Sequence, residues 1–402
     1  MTATKVEITD TEPTSIVKDF STFLKYIEEK APSLVRKGHF LPRATLSQIS
    51  KLMSAPGPED VSGTAKFSHP YLTLFYYLAV KGNLFTKTSR LHLQSTERLT
   101  EYNQLTAPEK YFFLLETFWV DTDWSELLNY SSNVFFIPEA QSTIDYLART
   151  PPGKLIPIER VHSLWSALWH ADYLLEYLSF FGVIRITCEE PSEKPHGITS
   201  ASVAGLGGTV FPILCSERNL LRWNIPYIRE HTSRFTVLPG SRKKNIQYEP
   251  FFKPFQKFVK RDLQKTLPRG NKKGTYTVKV SLRKNLWRTI VLSNEHTLED
   301  LHEAIQDAFE FDRDHLYTFF TDGIPWSNAH IYALQGDEGP FSNRVSIGDL
   351  GLQPGQFILY IFDFGHQWQF KIELLDFSSE PGPPSPVIGE RKGKSPEQYP
   401  SW

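Results

Sequence analysis

Apolar residues recur at helical spacing along the first part of the chain, and this period predicts packed helices. The expected helices cover 15–29, 44–53 and 68–82. Ser68 is the expected N-cap of the third helix, which is strongly apolar. A short alternating segment at 91–94 predicts a strand. A further helix should begin at Thr106, because Thr106 and Glu109 form a capping-box pattern with Pro108 in the first turn.

The second part of the chain repeats the order of helices followed by a strand. Helices are expected over 158–169 and 171–180 and a strand over 183–187, and a second apolar run follows at 210–214. Each half looks like a winged-helix unit, in which a helix pair precedes a β-wing. Winged helices bind duplex DNA through the second helix, and they also serve as protein-docking modules. In the first half this helix, 69–81, is apolar nearly all round. We therefore expect it to be buried and unable to enter a groove.

Beyond residue 274 the period changes to the alternation that is typical of strands. Strands are expected over 276–282, 287–292, 316–320, 357–362 and 368–374. One helix, capped by Thr297, should lie between the second and third strands. This order is ββαβ followed by further β-structure, which predicts one main helix on a mixed sheet. The fold class is therefore α+β, with a mainly helical N-terminal region.

These changes of pattern divide the chain into five regions. A first winged-helix-like unit covers 1–150 and a second covers 151–240. A basic, aromatic linker at 241–274 leads to an α+β domain at 275–380. The tail, 381–402, is rich in Pro and Gly, and its composition fits a disordered end. The alternative for the tail is an ordered strap that packs Tyr399 or Trp402 against the domain.

Composition excludes several classes of protein. Of the 402 residues, 40% are hydrophobic and 22% are charged, and the formal net charge is −1. A globular protein without a global attraction to nucleic acid or membrane is expected. The longest apolar stretches fall short of the roughly 20 residues that cross a bilayer, and no secretory signal is recognisable. Cys188 and Cys215 form neither a disulfide framework nor a metal motif. A cytoplasmic location is therefore expected, and no cofactor or metal is predicted.

Residues 242–273 carry the strongest local charge, with eleven Lys or Arg against Glu249 and Asp262. Aromatic residues lie among these cations, and such a combination suits a nucleic-acid strand. The alternative is a linker helix with a solvated basic face, because Phe251, Phe255 and Phe258 also lie at helical spacing. The candidate partners are DNA or RNA, or another protein. The candidate nucleic-acid contacts are Arg242, Lys243, Lys244, Lys253, Lys257, Lys260 and Arg261.

Ordered motifs in the α+β region carry a family resemblance. Their residues are Trp287, Arg288, Thr297, Leu298, Leu301, His302, His315, Leu316, Phe319, Tyr360, Phe362, Asp363, Phe364, Gly365, His366 and Trp368. On these residues the region resembles the plasmid pRiA4b ORF-three-like family, and 394–400 resembles its terminal motif. The resemblance implies a passenger or accessory protein of plasmids and transposons, without an established reaction. Members of this family are sometimes labelled TnpR-like, but no serine-recombinase motif is recognisable in this chain. The chain departs from the family pattern at His366, where an acidic residue is usual, and at Phe362, where Tyr is common.

The candidate catalytic residues are Asp363, His366, His302 and His315. If they converge, a carboxylate and imidazoles could transfer protons or bind a metal near neutral pH. Residues 302–306 lack the second histidine of a zinc-helix motif, and the loops that accompany the kinase tripeptide Asp-Phe-Gly are absent. The structural alternative is a tight turn in which Asp363 bonds backbone donors, Gly365 has a positive φ and Trp368 anchors the returning strand.

Two functions follow from these patterns. The first is a non-enzymatic binding protein that holds nucleic acid or another protein through the basic linker, with the α+β domain as a rigid docking surface. The alternative is a hydrolase that uses Asp363 and His366 on a mobile-element or nucleic-acid substrate.

Overall fold

A computed structural model describes most of the chain. The described residues are 5–36, 40–55, 69–88, 91–128, 132–166, 168–189, 197–232, 239–240, 250–260, 263–265, 267, 274–321, 323–327, 330–333, 341–352, 354–378 and 380–399. The chain divides into two compact units. The first comprises the described residues of Met1–Phe85, Leu91–His231 and Val237–Leu267, and the second comprises those of Thr86–Arg90, Thr232–Thr236 and Pro268–Trp402.

The region before residue 268 is mainly helical. Its helices and strands are α1 (Ile16–Lys30), α2 (Arg43–Ser50), α3 (Pro70–Lys81), β1 (Phe85–Lys87), β2 (Leu93–Ser95), α4 (Glu97–Asn103), α5 (Ala107–Glu116), α6 (Trp124–Leu128), α7 (Asn133–Ala148), β3 (Leu155–Pro157), α8 (Ile158–His162), α9 (Leu168–Phe180), β4 (Ile184–Cys188), β5 (Ile198–Val203), α10 (Gly207–Ser216), α11 (Leu220–Trp223) and α12 (Ile225–Thr232). A π-helical turn, Thr117–Asp121, follows α5, and a 3₁₀ helix occupies Lys253–Phe258.

Helix α3 lies in the core of the first helical half. Every residue from 72 to 79 is buried, which follows from a sequence that is apolar all round the helix. Helix α1 packs Phe20 and Phe23 against Phe75, with ring centroids 5.2 Å and 5.8 Å apart. The predictions of an amphipathic first helix and of a buried third helix are therefore confirmed.

The expected start of the helix after β2 is also confirmed. The Glu109 carboxylate accepts a hydrogen bond from the Thr106 backbone N–H at 2.9 Å, and the Thr106 side chain completes the capping box. This reciprocal pair satisfies backbone donors that the first turn of a helix leaves unpaired.

The second helical half differs from expectation in one place. Helix α8 ends at His162, so the helix expected over 158–169 stops about two turns early. The apolar run at 210–214 lies in helix α10. The strand that pairs with β4 is β5, in an antiparallel arrangement. A short apolar run fits a helix or a strand equally well. Strand β5 was not predicted because its Thr and Ser residues interrupt the apolar pattern.

In its described residues, the second unit is a sheet with one long helix on it. Its elements are β6 (Thr275–Arg283), β7 (Leu286–Ser293), α13 (Leu298–Phe309), β8 (Tyr317–Phe320), β9 (His330–Tyr332), β10 (Phe357–Phe362), β11 (Trp368–Ser378) and β12 (Val387–Lys392). Two 3₁₀ turns occupy Ser342–Arg344 and Gly348–Leu350. The seven strands follow the order β12-β7-β6-β11-β10-β8-β9. The α+β class is confirmed, and each strand predicted in this region is present.

The sheet is antiparallel at every described pairing, so the expectation of a mixed sheet was wrong. Helix α13 connects β7 to β8, which run in the same direction and would be parallel neighbours in a simple crossover unit. The hairpin of β10 and β11 lies between them, because β11 pairs with β6 and β10 pairs with β8. The chain order of the strands does not reveal this insertion.

Helix α13 covers one face of this sheet. Thr297 and Asp300 form a capping box, in which the Asp300 carboxylate accepts from the Thr297 N–H at 2.7 Å. The expected core stripe is buried, and Phe309 meets Phe370 of β11 with ring centroids 4.9 Å apart. The N-cap and the core face that the sequence predicted are therefore both confirmed.

The described part of the tail is ordered. Strand β12 pairs with β7 at the edge of the sheet, and the chain then continues to Gln398, which is buried. Of the two expectations for the tail, the strap fits the described residues through 399. Trp402 lies outside the described residues.

Arg288 joins the strap to the rest of the domain. This side chain is only 3% exposed. Its guanidinium donates to the carbonyl oxygens of Ala308 and Lys392, each at 2.9 Å, and to the Ser395 hydroxyl at 3.0 Å. It also lies 4.7 Å from the ring centroid of Phe309. A planar group with several donors can satisfy these acceptors together.

We expect Arg288→Lys to destabilise the protein, because a lysine ammonium cannot reach the same acceptors from one position. The loss in unfolding free energy should be about 2–3 kcal/mol, measured by urea denaturation. Arg391→Lys, on the exposed side of β12, is the matched control and should change stability little. Equal stability of the two variants would contradict the anchoring role of Arg288.

Candidate functional site

The signature turn lies between β10 and β11. Asp363 Oδ1 accepts hydrogen bonds from the backbone N–H groups of Gly365 at 2.9 Å and His366 at 3.3 Å. The turn therefore uses the Asp363 carboxylate as the structural hypothesis expected. The positive φ values belong to Asp363 at 53° and Gln367 at 51°, and the expectation of a positive φ at Gly365 was wrong. A Cβ at Gly365 would lie 3.2 Å from Asp363 Oδ1, so glycine leaves room for the carboxylate.

Two imidazoles lie close to the second carboxylate oxygen of Asp363. Oδ2 lies 2.8 Å from His366 Nδ1 and 3.7 Å from His315 Nε2. Asp363 is 3% exposed, whereas about a third of His366 and more of His315 is open to solvent. Three of the four predicted catalytic residues therefore lie together, with two imidazoles beside the buried Asp363 carboxylate.

Asp363 carries its charge in spite of burial. Burial alone would raise the pKa of the carboxyl, but the hydrogen bonds from His366 and Gly365 lower it overall, below its ordinary value of 3.8. The charged form is stabilised because donors already point at both oxygens. Asp363 is accordingly an ionised acceptor at neutral pH.

Strand pairing explains how His315 reaches this turn. In the register of β8 and β10, Phe362 lies opposite Tyr317. The Asp363 N–H extends the pairing and donates to the Leu316 carbonyl at 3.0 Å. His315 directly precedes Leu316 in the chain, and its side chain therefore lies beside Asp363.

His302 does not join the cluster. It is buried on α13, and its Nδ1 lies 2.6 Å from the Tyr360 hydroxyl. Its ring stacks on Tyr317, with centroids 3.8 Å apart. Burial, together with the nearby positive charge of Arg313, lowers the pKa of His302 to about 3. This imidazole is neutral at physiological pH and cannot act there as a titrating base.

The strap forms one wall of the site. The Tyr399 hydroxyl donates to Asp314 Oδ1 at 2.6 Å, and Gln398 donates to the Asp312 carbonyl at 3.2 Å. The Tyr399 ring lies 5.9 Å from both His315 and His366. The hydrogen bond from Tyr399 lowers the pKa of Asp314. Sequence reasoning missed Asp314; the resemblance of 394–400 to the family's terminal motif was the available signal.

A cleft of about 360 Å³ opens beside His315. Its walls include His302 and Tyr317 together with the charged side chains Glu299, Arg313 and Asp314. Across the described residues, no group of three or more His, Cys, Asp and Glu side chains is placed to hold a metal ion. The Asp363 carboxylate and the imidazoles of His315 and His366 are groups that form hydrogen bonds and transfer protons.

The basic linker is described only in part. Arg242, Lys243, Lys244 and Arg261 lie outside the described residues. Lys253, Lys257 and Lys260 are described and exposed, and Lys260 pairs with Glu7 at 3.1 Å.

The aromatic residues of the linker belong to the core of the first unit. Phe251, Phe252 and Phe255 are 0–5% exposed. Arg218 donates to the Pro250 carbonyl at 3.0 Å and to the Phe251 carbonyl at 2.9 Å. These three rings are therefore not available to stack on bases. Within the described ranges, no helix is both long and apolar enough to cross a membrane.

Residues 274–398, which contain this site, match the model of the plasmid pRiA4b ORF-3-like protein family. The resemblance expected from the motifs is confirmed for this plasmid pRiA4b ORF-3-like domain, and the match leaves residues 1–273 outside it.

Among solved structures, the chain is similar to the crystal structure of a protein of unknown function from Methanosarcina mazei Go1. The identity is 26%, the TM-score is 0.26, and the match covers 31% of this chain and 74% of that chain. No curated protein matches the chain.

We expect Asp363→Asn to lower stability at neutral pH by about 1–2 kcal/mol, because Asn keeps the turn but loses the charge that holds two imidazoles. The pKa of Asp363 is depressed in the folded state, so its contribution is present above the unfolded value and is lost as pH falls through the folded value. Urea denaturation should therefore show a difference between wild type and variant at pH 7 that closes in acid. A difference that does not shrink as the pH falls below 3.8 would contradict an ionised Asp363.

Proposed function

We propose that the plasmid pRiA4b ORF-3-like domain carries a general acid–base site of hydrolase type. The observation that supports it is the convergence of His366 and His315 on the buried Asp363 carboxylate, at 2.8 Å and 3.7 Å. A carboxylate on one nitrogen of an imidazole fixes the ring and its tautomer and stabilises the imidazolium that forms when the other nitrogen takes a proton.

In the proposed reaction His366 is the base. With Nδ1 held by Asp363, Nε2 accepts a proton from water as the water oxygen bonds to a carbonyl or phosphoryl centre. The bond from that centre to the leaving oxygen breaks, and His315 supplies the proton that the leaving oxygen takes. Two imidazoles on one carboxylate thus give a base and an acid within a single site.

The site also has the burial that such chemistry requires. Asp363 is shielded from water, whereas the imidazoles remain accessible to a substrate. The positive φ of two non-glycine residues in one turn is the kind of local backbone strain found at functional sites.

The test is hydrolysis of p-nitrophenyl carboxylate and phosphate esters by the full chain. His366→Gln should slow turnover by about a hundredfold to ten-thousandfold, the usual contribution of a general base. His330→Gln, in the same domain on β9, is the matched control and should leave the rate unchanged. Turnover that is insensitive to His366→Gln, or absent for both ester classes, would leave Asp363 as a turn residue alone.

A second candidate function is nucleic-acid binding by the basic linker. The observation that favours it is that buried rings and Arg218 hold the segment 250–258 in place, while Lys253 and Lys257 remain exposed. Cations fixed on a rigid support can contact phosphates without the loss of much side-chain entropy. The likeness to winged helices belongs to the same proposal, with α3 excluded as the recognition helix because it is buried.

Fluorescence anisotropy with labelled DNA and RNA tests this second candidate. Neutralising Lys253, Lys257 and Lys260 to Gln should weaken binding and lower the slope of log affinity against log salt by about one per phosphate contact removed. The matched control neutralises three exposed lysines of α1: Lys18, Lys25 and Lys30. Equal losses in both variants, or no binding by the wild type, would exclude a contact at this segment.

A further inference from the structure

The cleft beside His315 has a polar donor at its wall. His302 lines this cleft although the residue is only 6% exposed. Its Nδ1 is bonded to Tyr360, and Nε2 has no hydrogen-bond partner among the described residues. A ligand atom in the cleft could replace solvent as the hydrogen-bond partner of Nε2.

The hydrogen bonds behind His302 determine which nitrogen carries its proton. Gln306 Nε2 donates to the Tyr360 hydroxyl oxygen at 2.8 Å. The single Tyr360 proton therefore goes to His302 Nδ1, its other partner. A neutral imidazole that accepts at Nδ1 carries its proton on Nε2. His302 therefore offers an N–H donor to the cleft and adds no charge there.

The charged side chains of the cleft are mainly acidic. Glu299, Glu303 and Asp314 face a single guanidinium, that of Arg313. Arg313 is itself paired with Asp307 at 2.6 Å, outside the lining. Glu299 contacts no cation in the described part of the chain. Burial raises the pKa of Glu299, and the neighbouring carboxylates of Glu303 and Asp300 raise it further.

We infer that this cleft binds a small organic amine that also carries a carbonyl oxygen, with its ammonium group on Glu299 and its oxygen on the Nε2–H of His302. A volume of about 360 Å³ lies at the small end of ligand pockets. His315 belongs both to this cleft and to the Asp363 cluster, so the cleft and the acid–base site share one side chain. The inference names the substrate class of the proposed function and rests on it only in that last step.

The test uses the full chain labelled with ¹⁵N at histidine, with the ring nitrogens observed by NMR. Glycinamide is the probe, since it has one ammonium group and one carbonyl. N-acetylglycinamide is the neutral counterpart and succinamate the anionic one. We expect the His302 signals to show the Nε2–H tautomer and to shift saturably with glycinamide, and to shift little with the other two compounds.

Substitutions then show which carboxylate binds the ammonium group of glycinamide. Glu299→Gln should weaken glycinamide binding by about fivefold to tenfold, the value of one partly buried ion pair. Glu295→Gln removes the same charge four residues earlier and outside the cleft, and it should leave binding unchanged. His366→Gln should retain glycinamide binding while it loses hydrolysis, so that failure of the acid–base proposal is distinguished from failure of this one. The inference is overturned by an Nδ1–H tautomer, by a lack of saturable shift, by equal binding of the neutral or anionic compound, or by equal effects of the two Glu variants.

Discussion

Strand β10 pairs along both of its edges, and the geometry of the candidate site depends on this double pairing. On one side Phe362 lies opposite Trp368 of β11, and on the other it lies opposite Tyr317 of β8. The turn after β10 and the loop before β8 are thereby held at the same end of the sheet. Main-chain hydrogen bonds fix both positions. His315 and Asp363 are therefore held near each other by strand pairing, and no loop movement is needed to bring them together.

The sequence predicted local structure well and non-local pairing poorly. The stripe of α13 and the alternation of β6 were readable because one buried face imposes a period. The insertion of β10 and β11 was not readable, since strand neighbours in a sheet are chosen by packing across long sequence distances. The run at 210–214 could not be assigned for a different reason. Four or five apolar residues fill either a strand or one helical turn, and length alone did not decide between them.

The candidate site shows the same division. The signature residues Asp363 and His366 were found from their order in the chain, and a turn was expected there. The turn and the chemical hypothesis proved compatible, because one carboxylate oxygen serves the backbone and the other serves the imidazoles. The role of His302 could not be predicted, since its pKa depends on burial by Tyr317 and Tyr360, which are distant in sequence.

The contacts between the strap and the candidate site are expected to form late in folding. Tyr399 meets Asp314 across 85 residues of sequence, and Arg288 meets Ser395 across 107. Closing loops of this length is entropically costly until the intervening sheet is formed. We therefore expect the hairpin of β6 and β7 to form before β12 pairs with β7, and Tyr399 to reach the imidazoles after that. A partly folded domain would thus have its helix and most of its sheet while its polar cluster still lacked one wall.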